Sequence, residues 1–203
     1  ETTKNLIQNL RKLNKSPKVI INASAIGFYG SHPQTKFTEE DKHGQDYLAN
    51  LCKEWEAIAN KKPRTTRLLT LRIGIVLEKD GGALGKMLPI FRAGLGGPIG
   101  DGKQWMSWIH RTDLCNLINE SLKNSSFSGV LNGVAPHPIR MKDFSYSLGK
   151  ILGRPSLLAV PGPILKLLLG DGARVVLEGQ YVQSQKLKKL KFKFLFPTIN
   201  DAF

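Results

Sequence analysis

The first candidate for chemistry is the hydroxyl residue Ser24, which closes a markedly apolar run. The run begins at Val19, and four of its first five residues are apolar, without alternating polar side chains. This pattern is typical of a strand buried on both faces, as in a parallel sheet covered by helices. Ligands of such sheets bind at the carboxyl ends of the strands, where Ser24 is expected to lie. A core strand that runs into a glycine-containing turn explains the same residues equally well.

The cysteines and histidines are too dispersed to predict a metal site or a redox pair. The cysteines fit no spacing used for either chemistry, so they are interpreted as reduced, partly buried thiols of a cytoplasmic protein. The longest apolar candidate for a membrane span, residues 163–169, is short and is interrupted by Lys166, so no membrane anchor is expected. The dispersed residues are Cys52, Cys115, His32, His43, His110 and His137.

The net charge of +14 points towards an anionic partner, since clustered Lys and Arg bind phosphates. The densest basic run, residues 186–193, carries an apolar residue at every second or third position. That spacing favours the solvated face of a packed element over a nucleic-acid groove, so nucleic acid is not favoured as a partner. The excess charge could instead attract an anionic cofactor.

Helical and extended patterns alternate along the chain, which predicts an α/β protein. The second predicted helix carries an apolar stripe of six residues, Leu48, Leu51, Cys52, Trp55, Ile58 and Ala59. Residues around 33–41 are expected to form a loop, and a soft domain boundary is placed near residue 135. Helices are predicted at 2–13, 46–60, 83–93, 112–122, 141–152 and 163–169, and extended segments from 19 and at 67–76, 105–110, 129–132 and 192–196.

Six blocks of the sequence together resemble the extended short-chain dehydrogenase/reductases, which are the NAD(P)-dependent epimerases and dehydratases. They occur in the order of that family and are most similar to its atypical subgroup, often labelled cell-division-inhibitor-like epimerase family proteins. The tail from 187 to 197 also resembles the small C-terminal domain of the subgroup. The blocks are SAIGFYG at 24–30, YLANLCKEWE at 47–56, LRIGIV at 71–76, GGALGKMLP at 81–89, GLGGP at 94–98 and QWMSWIH at 104–110.

The resemblance implies a Rossmann-like, doubly wound parallel sheet with a small mixed C-terminal substrate region. Family members open with a strand and a Gly-x-x-Gly-x-x-Gly turn that receives the cofactor pyrophosphate, and nothing similar occurs in these 203 residues. The chain is therefore expected to match the last two-thirds of a longer protein, without the first strands of its sheet. Residues 1–135 are assigned to the cofactor-binding domain, with a substrate-region insertion at about 77–105, and residues 136–203 to the small domain.

Catalysis in the family uses a Ser or Thr that polarises the substrate oxygen and a Tyr-x-x-x-Lys pair on the following helix. By this resemblance Ser24 is the first candidate, although the register must move by one residue because Ala25 stands at the usual serine position. Tyr47 is the available proton-exchanging tyrosine. The pair is broken, since Leu51 stands four residues later and Lys53 would lie on another face of the helix.

The same resemblance places the nicotinamide end of NADP against two strand ends, although a buried strand end also explains the second of them. NADP is expected for the complete protein, and this chain alone is expected to bind it poorly, if at all. The residues assigned to the cofactor are Ala23, Ser24, Ile73, Gly74, Ile75 and Val76.

Three large side chains, Met87, Trp105 and Met106, are candidates to line an apolar substrate pocket. Packing in the core explains them as well and is favoured, because aromatic and methionine clusters occur more often in cores than in sites. In nucleotide-sugar members an arginine at the position of Met106 commonly holds the substrate diphosphate. Methionine offers no donor to phosphate, which argues against a nucleotide sugar bound in that way. His110 and Asp113 are expected to be structural, with Asp113 capping the next helix.

Three functions remain open at this point. The first is an NADP-dependent oxidoreductase or epimerase-like enzyme that acts on a small molecule, and the second is a catalytically weak NADP-binding regulatory protein. The third, a basic nucleic-acid-binding protein, is least favoured. A homodimer is also implied, because the helix that follows the catalytic strand forms dimer interfaces in extended family members.

Overall fold

The computed structural model describes residues 1–159 and 177–203. The predicted helix at 163–169 lies outside the described residues. The strands are β1 (Val19–Ala25), β2 (His32–Phe37), β3 (Arg67–Ile73), β4 (Ile75–Glu78), β5 (Trp105–Met106), β6 (Trp108–His110), β7 (Gly129–Gly133), β8 (Ile139–Arg140) and β9 (Gln180–Val182). The helices are α1 (Thr2–Leu10), α2 (Tyr47–Ala59), α3 (Gly82–Arg92), α4 (Arg111–Lys123), α5 (Met141–Leu152), α6 (Gln185–Lys189) and α7 (Ile199–Ala202), with a short 3-10 turn at Ile26–Tyr29.

A parallel sheet forms the centre of the fold, with strand order β1-β3-β7. The central strand β3 is buried along most of its length, and its Leu69 and Leu71 pack with Leu131 of β7. Helix α2 connects β1 to β3 along the chain, as parallel strands require a long crossover connection. The predicted parallel α/β arrangement is therefore confirmed. The carboxyl ends of the three strands meet at one edge, because parallel strands in register end together.

A corner at Gly74 divides what the sequence predicts as one strand over 67–76. The Gly74 N–H donates to the carbonyl of Gly133 at 3.1 Å, and the Ile75 N–H donates to the carbonyl of Ser107 at 2.9 Å. A Cβ atom at Gly74 would lie 2.4 Å from the Ser107 oxygen, so only glycine allows the two segments to approach so closely. After this corner the chain leaves the central sheet, and β4 pairs with β6.

Helix α2 begins where the sequence predicts, and its buried face agrees with the predicted stripe only in part, at Cys52 and Ala59. The Asp46 carboxylate accepts a hydrogen bond from the Ala49 N–H at 2.8 Å and caps the first turn. Small and polar residues at helical spacing form the buried face, while the larger apolar side chains remain 40–45% exposed. The buried residues are Ala49, Cys52, Glu56 and Ala59, and the exposed ones are Leu48, Leu51 and Trp55. Of the two free thiols, Cys52 is buried and Cys115 is exposed, so the predicted partial burial is wrong for Cys115.

The start of α4 also differs from the prediction. The side chain of His110 caps this helix, because its Nδ1 accepts a hydrogen bond from the Thr112 N–H at 3.1 Å. Asp113 is fully buried, and its carboxylate accepts from the N–H groups of Leu195 and Phe196 at 2.8 and 3.0 Å. The predicted cap at Asp113 is therefore wrong, and this carboxylate instead fastens the C-terminal segment to α4.

Two further segments depart from the sequence pattern. The predicted loop at 33–41 contains β2, which pairs in parallel with β9. The phenylalanine alternation at 192–196 forms no strand. The rings of Phe192 and Phe194 instead pack edge to face with their centroids 4.9 Å apart. The ring of Phe196 stacks on that of His110 with a centroid distance of 3.8 Å. In the basic run, Leu187 is buried while Lys188 and Lys189 are exposed, as expected for the solvated face of a packed element.

Within residues 1–159 and 177–203, no helix has both the length and the apolar character needed to cross a bilayer. The same residues contain no group of three or more His, Cys, Asp or Glu side chains placed to hold a metal ion.

Candidate functional site

A cleft of about 640 Å³ opens at the carboxyl edge of the central sheet. One wall comes from the end of β1 and the turn after it, another from the corner between β3 and β4, and a third from β5 and the segment before β9. The start of α2 borders the opening. The lining residues are Ala25, Ile26, Gly27, Ser31, Asp46, Tyr47, Leu48, Ile73, Gly74, Ile75, Trp105, Ser107, Glu178, Gly179 and Gln180.

Several predicted site residues come together in this cleft. Tyr47 is the first residue of α2 and is 79% exposed at the cleft border. Ile73, Gly74 and Ile75 form the apolar corner, and Trp105 lies on the β5 side. The residues are far apart in sequence, and the parallel strands bring them to one edge.

Ser24, in contrast, faces away from the cleft. Its side chain is buried, and its hydroxyl donates a hydrogen bond of 2.7 Å to Oε1 of Glu56 on α2. Alternate residues of a strand point to opposite faces, so the next residue, Ala25, lines the cleft instead. The geometry therefore does not support the catalytic and cofactor roles predicted for Ser24, and it assigns this hydroxyl to the packing of α2 on the sheet.

Other predicted site residues also lie outside the cleft. Ala23 is exposed on β1, and Val76 pairs with Ile109 in the β4–β6 ladder. Met106 is buried in an apolar cluster with Leu84 and Phe91, and Met87 packs against the same cluster. The two methionines therefore fill the core, the interpretation that their types favour.

The strongest electrostatic feature near the cleft is a buried ion pair between Arg72 and Glu56. The Arg72 Nε and Nη2 atoms donate to the two carboxylate oxygens of Glu56 at 2.9 and 2.8 Å, and both side chains are more than 90% buried. The guanidinium also lies 3.2 Å from the ring centroid of Phe28. Burial acts to lower the pKa of Arg72, but Glu56 and Tyr29 outweigh it and raise that pKa above its ordinary value.

A hydrogen-bond chain continues from this pair to the C-terminal segment. Arg72 Nη1 donates to the Tyr29 hydroxyl at 2.9 Å, and that hydroxyl donates to Oδ1 of Asn132 at 2.7 Å. Burial raises the pKa of Tyr29, while Arg72 and Asn132 act in the opposite direction. The Asn132 N–H donates to Glu39 at 3.1 Å, and the Glu39 carboxylate also accepts from the Ser184 hydroxyl. These buried polar groups hold the segment after β9 against the sheet.

The sequence interpretation misses five polar residues of the cleft, which are Ser31, Asp46, Ser107, Glu178 and Gln180. Ser31 follows the 3-10 turn, and its hydroxyl donates weakly to the Gly179 carbonyl at 3.5 Å. Asp46 lies at the border beside Tyr47 and is recognisable in the sequence only as a helix cap. Glu178 lies in the segment before β9, far along the chain from the cleft residues of β1 and α2, so no local sequence pattern predicts its position in the cleft.

The tyrosine in the cleft lacks the lysine partner that the family resemblance requires. One helical turn after Tyr47 stands Leu51, which is 45% exposed, and Lys53 is exposed and does not line the cleft. Ala25 likewise presents a methyl group where a hydroxyl is usual. Of the expected catalytic groups, the cleft therefore presents the Tyr47 hydroxyl. Two serines that the sequence interpretation did not assign, Ser31 and Ser107, also line it, and the Ser107 hydroxyl donates to the Gln180 carbonyl at 2.8 Å.

The apolar corner suits the nicotinamide end of a dinucleotide. Ile73, Ile75 and Ala25 line the cleft with apolar side chains, and Gly74 has no side chain that would block a flat ring. The 203 residues contain no Gly-rich pyrophosphate turn, so these residues would hold only that end of the cofactor.

Comparison with known proteins connects this geometry to a family. The chain is 35% identical over 204 residues to mouse Epimerase family protein SDR39U1, and it covers 70% of that protein. The chain belongs to the SDR39U1 epimerase family. It is also 50% identical over 186 residues to the chloroplastic SDR39U1 homologue of Arabidopsis thaliana, of which it spans about half, 54%. Residues 160–203 match a family described as a domain of unknown function, DUF1731.

A solved structure of the same family supports the fold assignment. The human SDR39U1 structure (isoform 2), determined with NADPH, is 33% identical to this chain and superposes with a TM-score of 0.95. The match covers 99% of this chain and 69% of the human one. The predicted Rossmann-like fold and the predicted epimerase family are thus confirmed, whereas the cell-division label and the domain boundary near residue 135 stay predictions.

Proposed function

We propose that the protein containing this chain binds NADPH and acts as an oxidoreductase or epimerase-like enzyme on a small substrate. The observation that carries the proposal is the likeness to the human family member with NADPH, at a TM-score of 0.95 over 99% of the chain. The cleft at the sheet edge supports it, because ligands of this fold bind at that edge.

In this proposal each wall of the cleft has one task. When bound, NADPH supplies the hydride chemistry. Ala25 and the corner at 73–75 hold the nicotinamide ring and exclude water from one of its faces. The Tyr47 hydroxyl gives a proton to the substrate oxygen or takes one from it, and Ser31 offers that oxygen a hydrogen bond.

A second candidate function is a catalytically weak NADPH-binding regulatory protein. The specific observation in its favour is the loss of two family groups, since Leu51 and Ala25 stand where lysine and serine are usual. In the Tyr-x-x-x-Lys pair the lysine lowers the pKa of the tyrosine, and at Tyr47 that lysine is replaced by Leu51. Both candidates require NADPH, and they differ in whether turnover occurs.

Cofactor binding is tested with the chain preceded by an N-terminal segment like that of its relatives. NADPH and NADH are titrated separately while the nicotinamide fluorescence is followed. We expect a saturable change with NADPH and a weaker one with NADH. Absence of any change with NADPH would contradict both candidate functions. Turnover of a panel of carbonyl compounds and sugars then separates the enzyme from the regulatory protein.

Location and assembly also remain proposals. The chloroplastic name of the Arabidopsis relative favours a plastid, whereas the free cysteines led to the prediction of a cytoplasmic protein. The predicted homodimer stays a prediction. Its support is the exposed apolar stripe of Leu48, Leu51 and Trp55 on α2.

A further inference from the structure

A second cavity, of about 620 Å³, lies beside the cleft and is called here the basic groove. The two cavities share Ser31, Glu178 and Gly179 and therefore border each other. The basic groove is lined by Ser31, Pro33, Gln34, Asp101, Lys103, Gln104, Arg140, Lys142, Leu177, Glu178 and Gly179.

Arg140 lines the basic groove and is held against Trp105, a residue of the cleft. The antiparallel pairing of β5 with β8 places it directly opposite Trp105. Its guanidinium lies 3.7 Å from the Trp105 ring centroid, and its Nη1 donates to the carbonyl of Lys103. A guanidinium carries five N–H donors, so these contacts orient the group and leave donors for a ligand.

Two lysines stand on the same rim because a tight turn packs against the start of α5. The Lys142 N–H donates to the Gly102 carbonyl at 2.9 Å, and the Met141 N–H donates to the Gln104 carbonyl at 3.0 Å. Gly102 has a φ of +69°, and a Cβ atom there would lie 2.9 Å from Cβ of Lys142. This packing keeps Lys103 and Lys142 beside Arg140 in the groove.

The balance of charge in the groove favours an anion. Among residues 1–159 and 177–203, three cations (Lys103, Arg140 and Lys142) and two carboxylates (Asp101 and Glu178) line it. Lys103 and Asp101 are both exposed, and 4.0 Å separates Nζ of the lysine from Oδ2 of the aspartate, so this ion pair is weak. Among the ion pairs within 4.0 Å formed by the described residues, none includes Arg140 or Lys142. A phosphate group would match the fork of the arginine and the point charge of the lysine.

We propose that the basic groove binds a phosphate group of the substrate, with Arg140 and Lys142 as its main ligands. The substrate class is then a phosphorylated small molecule whose reacting end reaches Tyr47 in the cleft. The substrate identity rests on the proposed function, whereas the binding of phosphate by the groove does not. In nucleotide-sugar members the phosphate-binding arginine stands at the position of Met106. The phosphate ligand proposed here, Arg140, is a different position in the chain.

Isothermal titration of inorganic pyrophosphate into the chain at fixed ionic strength tests the groove directly. We expect saturable binding that weakens about tenfold or more in Arg140→Gln and in Lys142→Gln, since each loses charge-assisted hydrogen bonds. Lys150→Gln is the matched control, because Lys150 is an exposed lysine near the other end of α5 and does not line the groove. Lys150→Gln should bind pyrophosphate with the same affinity as the unchanged chain.

Each outcome decides the proposal. No saturable binding, or equal affinity in the three variants, overturns it. Competition is measured with the chain preceded by an N-terminal segment, which is the form expected to bind NADPH. If pyrophosphate competes with NADPH there, the groove serves the cofactor, and the proposal of a substrate phosphate site is overturned. If the chain binds pyrophosphate as expected but no form of it binds NADPH, the groove assignment stands and the proposed function fails.

Discussion

Replacing Arg72 with methionine is expected to destabilise the fold by about 3–5 kcal/mol, as when one partner of a buried ion pair is removed. The change leaves the Glu56 carboxylate buried without its two strongest donors, and it also removes the donor to the Tyr29 hydroxyl. The measurement is the free energy of unfolding from urea titrations, followed by circular dichroism.

Arg111→Met is the matched control for this experiment. Arg111 also pairs with a glutamate, Glu78, at 2.7 Å, but its side chain is 59% exposed. The Glu78 side chain is 14% exposed, so this pair lies half in water, and the variant should lose much less stability than Arg72→Met. Equal losses in the two variants would contradict the role given to the buried pair. The double variant Glu56→Leu with Arg72→Met should recover part of the loss, because the Glu56 carboxylate is then no longer buried without its partner.

The second large effect is expected at the proposed catalytic group. Tyr47→Phe should lower turnover by about 100-fold or more, the range found when a general acid or base is lost. The ring is kept and the position is 79% exposed, so stability should change little. The measurement compares kcat and KM for the first substrate found to turn over with NADPH. A fall in kcat without a matching rise in KM is expected.

Ser24→Ala provides the contrast that separates the geometry from the family pattern. Its hydroxyl donates to Glu56 inside the protein, so the variant should lose about 1 kcal/mol of stability and keep its turnover. If Ser24→Ala loses turnover as severely as Tyr47→Phe, the assignment of the cleft is wrong. If Tyr47→Phe keeps full turnover, the tyrosine has no part in proton transfer.

The sequence alone predicts the secondary structure around the site well, and the reasons are local. The apolar residues at Val19–Ile21 of β1 and Leu68–Leu71 of β3 favour strands that pack in the interior. Asp46 caps α2 as its type suggests, and Gly153 ends α5 in the left-handed conformation with φ of +63°. The family resemblance then supplies the parallel order of the strands.

The sequence does not predict which side chains face the cleft, because that depends on strand phase and on distant partners. A shift of one residue exchanges Ser24 for Ala25 at the cleft, and only the contact with Glu56 on α2 decides between them. The corner at Gly74 is likewise fixed by Ser107, more than thirty residues later. Leu48 and Leu51 are exposed while Cys52 and Ala59 of the same predicted stripe are buried, so the apolar residues of a helix do not all lie on the face that packs on the sheet.

The central claim is that the nicotinamide of NADPH lies in the cleft against the ends of β1 and β3. Ala25→Leu tests it most directly, because Ala25 lines the cleft and a larger side chain there fills the space given to the ring. Ala57→Leu, at an exposed position of α2 outside the cleft, is the control. NADPH is titrated into the chain preceded by an N-terminal segment like that of its relatives, and the nicotinamide fluorescence is followed. In this form Ala25→Leu should weaken NADPH binding by about tenfold or more, while Ala57→Leu should match the unchanged protein. NADPH binding of equal affinity in all three proteins would contradict the claim.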